Sequence, residues 1–261
     1  MKIEETQYER PTSLEALILL IGETHKNLRI LSGGAFSPLK VDNATVLIDI
    51  QDIGADRVER EGDFLRIGAA ASLQQIMDAD TGMDELRVPL TLEAGANVRN
   101  SLSLLNFLRS ADPRSPFLTA LLALAPELEM VPSGKRILLE NFPRIAPENE
   151  LEFPLWMKLQ LPAGFAWESI GRTPKDRPII CMAAARYKEG SLRIVCGGNE
   201  DTPRIIEQNT TTETLIALVQ QAYESSGDDW ASAEYRQEMS QVLLLRCVQR
   251  LGIDATKKEK K

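Results

Sequence analysis

The chain has 261 residues, 43% hydrophobic and 26% charged, ordinary proportions for a globular protein with a full core. Thirty basic against 38 acidic side chains leave a net charge of −8, which argues against nucleic acid or an anionic membrane as the main partner. No apolar run approaches the roughly 18–20 residues of a membrane span, and the opening MKIEETQYERP carries acids where a signal peptide has its apolar core.

Residues 12–21, TSLEALILLI, begin with a Thr/Ser cap and Glu15 and then place apolar residues at helical spacing, which predicts a first helix. His25, the single histidine, follows that run and reads as a helix C-terminal residue. LRILSGG (28–34) and TVLIDI (45–50) predict two strands, so residues 1–54 form an α/β lobe. FLRIGAAASLQQIMDA (64–79) changes from strand to helix at Gly68, with Ser72 as the cap. VPLTLEAGANV (88–98) reads as helix. FLTALLALAPELEMV (117–131) reads as an amphipathic helix broken at Pro126, then a strand, and SGK (133–135) turns a hairpin into RILLENF. These segments make a middle α+β lobe, 55–153. LEFPLWMKLQLP (151–162) predicts an edge strand that opens the third section, and PIICMAAARYKEGSLRIVCGG (178–198) a hairpin turning at KEGS. Helices at 210–223 and 232–251 follow, the second with Leu243, Leu244, Leu245, Val248 and Leu251 on a broad face. The expected fold is α+β, closing with antiparallel strands and a helical bundle over 154–255 and a frayed tail, 256–261.

Motifs for chemistry are sparse. There is no HExxH, no Cys/His cluster and no EF-hand loop, so no metal site is expected. One histidine supports no nucleophile–base arrangement, and no catalytic residue is assigned. The scattered Cys181, Cys196 and Cys247 read as reduced, buried thiols of a cytoplasmic protein. Any chemistry is then borrowed from a cofactor or a partner. Ser32-Gly33-Gly34 reads either as a strand-ending turn or as an anion cradle, because glycine admits positive φ and brings no Cβ between backbone and phosphate. In VRNSLSLLNFLRSADPRSP (98–116), Arg99 and Asn100 read as structural hydrogen-bonding groups or as loop-orienting ones, and Asp112-Pro113 as a turn former or a ligand. Trp156, Trp167 and Trp230 read as packing residues, RTPKDR (172–177) as a solvated loop or an interface, and Tyr235 and Arg236 as pins of the last helix or a partner-facing pair.

Seven segments, in order over about residues 8–251, resemble the flavin-binding subunit or domain of the molybdenum hydroxylases, the carbon monoxide dehydrogenase and xanthine dehydrogenase group. YERPTSLEALILL resembles that family's Y-x-R-P-x-S-x-x-E-A opening, with one residue fewer before the alanine. LRILSGG followed by PLK is similar to its first flavin loop, AGGTDL or AGGHSL. LIDI (47–50) and LRIGAAASLQQI (65–76) are similar to its Leu-x-Asp-Ile and Ile-Gly-Ala segments. Residues 98–116 align without gaps to its second flavin loop, RN-x-A-TIGGN-L-x-x-x-DP-x-SD. CGGNEDTPRIIE (196–207) resembles its Gly-Gly-Val-x-x-x-Pro-x-Arg turn, and SAEYRQEMSQVLLLRCVQRL (232–251) its Tyr-Arg-Arg terminal helix.

The resemblance implies an FAD-binding type-2 (PCMH-like) two-lobed α/β fold plus the C-terminal lobe, with FAD between the first two lobes. It also implies two partners, an iron–sulfur subunit and a molybdopterin-binding large subunit; a homo-oligomer stays open. The family's flavin takes electrons from iron–sulfur clusters and passes them to an acceptor such as NAD or a quinone. Carried over by position, the cofactor-binding residues are Ser32, Gly33, Gly34, Ala35 and Phe36 in the first loop, and Ser103, Leu104, Leu105, Asn106 and Asp112 in the second. Leu105 and Asn106 stand at the family's two glycines, Phe107 at its Asn and Pro116 at its Asp. A leucine held at positive φ costs about 1–2 kcal/mol and would project toward the phosphate groove; alternatively, 102–108 packs as a short helix or strand on its own core. Two functions stand open: an FAD-binding electron-transfer subunit, or a flavin-free homologue serving as a scaffold or binding subunit. An independent flavoenzyme is a weaker third.

Overall fold

The computed structural model describes residues 6–24, 27–33, 45–143, 151–207 and 211–253; His25, Gly34, Ala35, Phe36 and the tail lie outside them. The chain forms two compact units that interleave along the sequence. One comprises Met1–Thr81, Ala96–Ala111 and Pro126–Leu159, the other Gly82–Gly95, Asp112–Ala125 and Gln160–Lys261. Residues 82–95 and 112–125, placed by the sequence in the middle lobe, therefore group with the C-terminal section.

The first unit opens with β1 (Gln7–Glu9), α1 (Leu14–Glu23), β2 (Asn27–Leu31) and β3 (Thr45–Asp49), the strands forming a parallel sheet in the order β1-β3-β2. Ser13 caps α1 by accepting from the Ala16 N–H at 3.1 Å. The helix buries Leu17 and Ile21 against Leu28, Ile30, Val46, Ile48 and Ile50 of the sheet. Tyr8 ties β1 down by donating its hydroxyl to Asp49 at 2.7 Å.

Next come β4 (Val58–Glu61), β5 (Phe64–Gly68), α2 (Leu73–Asp78), α3 (Arg87–Glu93), α4 (Ala96–Ser101), α5 (Leu104–Ser110), α6 (Pro116–Ala123), β6 (Glu127–Val131), β7 (Arg136–Leu138) and β8 (Phe153–Gln160). The second sheet runs β4-β5-β8-β6-β7. The strand expected at an edge, β8, is thus central. Its Phe153, Leu155, Met157 and Leu159 are all buried, and Pro154, which cannot donate to a ladder, sits where the pairing with β6 shifts register between Glu129 and Met130. The single helix expected over 88–98 is two helices, broken where Ala94 turns to extended backbone at φ −157° and ψ 154°, and Glu93, the last residue of α3, caps α6. Its carboxylate accepts from the Ser115 hydroxyl at 2.6 Å and the Phe117 N–H at 3.2 Å.

The second unit is built on an antiparallel sheet of β9 (Gly164–Ile170), β10 (Ile180–Arg186), β11 (Leu192–Gly197) and β12 (Arg204–Glu207), in the order β12-β11-β10-β9. One face carries Ala166, Ile180, Met182, Ala184, Ile194 and Cys196 against α7 (Thr212–Gln221) and α8 (Ala233–Arg250). The bundle expected there is this pair of helices. The helix α6, expected to be amphipathic, is buried at every residue because it packs on β10, β11 and α3. With both faces of β10 covered, its sequence loses the alternation of a half-exposed strand. The approach of α6 requires Gly197, where a Cβ would lie 2.2 Å from Thr119 Oγ1. All three cysteines are free and buried, and burial pushes Cys181 and Cys196 up to about 12. No described helix is long and apolar enough to cross a membrane.

Arg236, fully buried, anchors the segment that joins α7 to α8. It donates to the carbonyls of Ile179, Ser226 and Ala231 and grips Asp228 through two bonds of 2.9 and 2.8 Å. Burial pushes the Asp228 carboxyl up, but donors from Arg236, Trp230 and Ala231 outweigh it and hold its pKa near about 2, against an ordinary 3.8. Removing Arg236 strips Asp228 of its two-bond partner, though Arg114 remains at 3.0 Å, and frees three buried carbonyls, so Arg236→Met is expected to cost about 1–3 kcal/mol in urea unfolding. Because the folded value is depressed, Asp228's contribution is complete above about pH 4 and is lost as pH falls toward 2. Unfolding curves across that range should lose this component in Asp228→Asn.

Candidate functional site

The end of β2 runs into Ser32 and Gly33. Gly33 has φ +83°, and a Cβ there would lie 2.3 Å from Gln51 Nε2, so the turn is a bare-backbone cradle that only glycine fills without strain. Across from it, residues 102–105 lie along 69–73. The Leu73 N–H donates to Leu102 O at 2.9 Å, the Leu104 N–H to Ala71 O at 2.8 Å and the Leu105 N–H to Ala69 O at 2.9 Å. Ser72 and Ser103 form an isolated bridge. Both are helix caps: Ser72 forms a reciprocal capping box with Gln75, and Ser103 caps α5 by accepting from the Asn106 N–H at 3.4 Å.

Two loops meet where the Ser32 and Ser103 hydroxyls share a 2.7 Å hydrogen bond, buried on both sides. Asn106 fixes the turn from behind by donating to Gly33 O at 3.2 Å. Arg109, one helical turn on, donates to Ile30 O at 3.2 Å and Asn106 Oδ1 at 3.3 Å. In front lies a cavity of about 400 Å³ lined by Ser32, Gly33, Ser103, Ser72 and Gln75, with Gln51, Asp56, Ala70, Asn100 and Ser101 completing it. On the other side of α5, Leu105 and Arg109 border a second cavity of about 210 Å³ whose walls include Met130, Ile137, Phe142 and Phe153.

Of the ten residues carried over by position, Ser32, Gly33 and Ser103 line the polar cavity. Gly34, Ala35 and Phe36 lie outside the described residues. Leu104 and Leu105 are 1% and 0% exposed. Leu105 packs among Leu17, Ile30 and Ala69, so it does not project toward the polar cavity. It carries no positive-φ strain either: the only non-glycine with positive φ among the described residues is Ala125. The segment 104–110 is a short helix on its own core. Asp112 lies in the second unit, accepts from the Arg114 N–H at 2.8 Å and pairs with Arg177. Arg99 is buried and donates to Gln74 at 3.0 Å, linking α4 to α2. Gln51, Asp56, Gln75 and Ser101 carry no motif that marks them; their shared lining arises from chain crossings. Among the described residues no group of three acidic, His or Cys side chains could hold a metal.

Flavin dinucleotide fits this lining in part. Gly33 and the hydroxyls of Ser32 and Ser103 suit it, whereas the first N–H groups of α5 are already bonded to Ala71, Ala69 and Ser103.

The family described as the FAD binding domain in molybdopterin dehydrogenase matches residues 4–152. The Escherichia coli (strain K12) protein YgfM, itself uncharacterized, is 25% identical over 245 residues, 91% of this chain and 93% of its own. Reconstituted CO dehydrogenase from Oligotropha carboxidovorans superposes with a TM-score of 0.71 at 22% identity, covering 96% of this chain and 99% of that one. Quinoline 2-oxidoreductase from Pseudomonas putida 86 superposes with a TM-score of 0.70 at 18% identity, covering 97% and 99%. At these identities the likeness concerns the fold, and it extends over nearly the whole chain.

Because Leu105 is a core residue, Leu105→Ala is expected to cost about 2–5 kcal/mol, and Ser103→Ala, which removes a cap and the bond to Ser32, about 1–2 kcal/mol. Denaturant unfolding of both variants checks the assignment; a Leu105→Ala change near zero would place that side chain in a solvent-facing loop.

Proposed function

The chain belongs to the family of FAD-binding domains of molybdopterin dehydrogenases, and on that premise we propose that it is the flavin-holding electron-transfer subunit of a molybdenum-hydroxylase-type complex. Its partners are then an iron–sulfur subunit and a molybdopterin-binding large subunit. The observation that carries this reading is the meeting of Ser32-Gly33 and Ser103 at one cavity within the family-matched span. That cavity takes its lining from 1–54 (Ser32, Gly33, Gln51) and from 55–153 (Asp56, Ala70, Ser72, Gln75, Asn100, Ser101, Ser103), the two segments between which the family holds FAD.

Bound FAD supplies one- and two-electron chemistry, so this chain needs no base or nucleophile of its own. Its residues hold and orient. Gly33 offers backbone without a Cβ, Asn106 and Arg109 fix the end of β2, and the paired hydroxyls of Ser32 and Ser103 present oxygens to the cavity. The thiols, buried and held protonated, are suited to a packing role and to a reducing, cytoplasmic setting.

A second reading, a flavin-free scaffold or binding subunit, is favoured by the engagement of the α5 N–H groups and the burial of Leu105. The visible spectrum of the purified chain separates the two. Flavin absorption that survives desalting, either as purified or after incubation with FAD, is the expected result. A chain that stays colourless after reconstitution is the scaffold.

A further inference from the structure

We infer that Gln51 is a ligand-contacting residue of the candidate site and that Tyr8, in the first strand, is a positioning residue that acts through it. The inference rests on the flavin reading above and concerns residues that neither flavin loop contains. Gln51 opens a 3₁₀ turn, Gln51–Ile53, just after β3. Its carboxamide lies over the bare Cα of Gly33, where a Cβ would stand 2.3 Å from Nε2 and 3.2 Å from Cδ. It also lines the polar cavity beside Ser32, Gly33 and Ser103. The backbone N–H of Gln51 donates to Asp49 Oδ1 at 3.0 Å, but its side-chain amide has no bonded partner among the described residues. A primary amide carries two donors and an acceptor. Packed against the cradle and left unbonded by the protein, this one is suited to bond a ligand.

The opening strand holds that carboxamide in place. β1 has three residues, all exposed, at the edge of the parallel sheet, so side-chain bonds rather than apolar burial tie it to the turn. The Tyr8 hydroxyl donates to Asp49 Oδ2 at 2.7 Å and leaves Oδ1 for the Gln51 N–H. Arg10 braces the same turn by gripping Asp52 through Nη2 and Nε, at 2.6 Å each. From the other side, the Ile50 N–H donates to Leu31 O at 2.9 Å, which joins the turn to the strand that runs into Ser32 and Gly33. Gln51 thus lies between two anchored carboxylates, Asp49 and Asp52. A carboxamide on backbone fixed in this way costs less to order on binding than one on a free loop.

The test titrates the purified full chain with FAD, followed by flavin fluorescence, as wild type, Gln51→Ala, Tyr8→Phe and the double variant. Gln51→Ala is expected to raise the dissociation constant about three- to tenfold, the range of one hydrogen bond, and Tyr8→Phe about threefold. Because Tyr8 acts through Gln51, the double variant is expected to match Gln51→Ala within about twofold. In protein carrying isotope-labelled glutamine, the Gln51 side-chain amide resonance is identified by its loss in Gln51→Ala. It is expected to shift on saturation with FAD, and to shift without FAD in Tyr8→Phe. Three results each overturn the inference and leave the flavin reading standing: wild-type FAD affinity in Gln51→Ala, a Gln51 amide resonance that FAD does not move, or effects of the two substitutions that multiply. A wild-type chain that binds no FAD overturns both. Gln51 is exposed, so Gln51→Ala is expected to keep the wild-type urea midpoint, which separates loss of contact from loss of fold.

Discussion

Three backbone hydrogen bonds join residues 102–105 to 69–73, and the candidate site depends on them. They place Ser103 opposite Ser72, set Ser103 as the cap of α5, and bring its hydroxyl to 2.7 Å from that of Ser32. The same bonds direct Leu105 into the core beneath α1 and the parallel sheet. One constraint therefore builds the cavity and withdraws the N–H groups that a phosphate would use. A helix of seven residues ending in a local cap has no free dipole end to lend an anion.

The second unit depends on coverage of both faces of one sheet. Since β10 has α6 on one side and α8 on the other, small residues recur along it, and Gly197 lets Thr119 approach. Two polar side chains that enter this interior, Tyr223 and Arg236, are satisfied largely by backbone carbonyls. The Tyr223 hydroxyl reaches Cys181 O at 3.1 Å and Gly197 O at 2.9 Å, and Arg236 reaches three carbonyls besides Asp228. Such groups are costly to orphan in a low dielectric, which makes this part of the chain sensitive to truncation of either residue. Trp230, read as a packing residue, lies under the guanidinium of Arg114 at 4.3 Å, with Arg172 at 5.5 Å, so part of the RTPKDR loop is held rather than freely solvated.

Much of the architecture was legible along the chain because the signals are local. Ser13 and Ser72 cap helices that begin at the next residue, SGK turns the hairpin of β6 and β7, and KEGS that of β10 and β11. The misreadings arise where distant partners decide. Whether 151–162 is an edge or a centre depends on β5, some ninety residues earlier. Whether 117–123 shows a wet face depends on β10 and β11, which follow it by some sixty residues or more. The break near residue 95 follows directly on Glu93, whose carboxylate is held by Ser115, 22 residues further along.

The site divides the same way. The amino-acid sequence by itself determined that two loops of a flavin-domain pattern are present, with a glycine cradle at 33 and a hydroxyl at 103, because those features are residue identities at fixed offsets. Only the tertiary structure decided that Leu104 and Leu105 turn away from the ligand side, that Asp112 pairs with Arg177 in the second unit, and that Gln51, Asp56 and Ser101 share the lining with Ser32. The reason is physical: a gapless alignment specifies position along the chain, but a side chain's direction follows from which backbone groups are bonded. At residues 104 and 105 those bonds run to alanines more than thirty residues earlier.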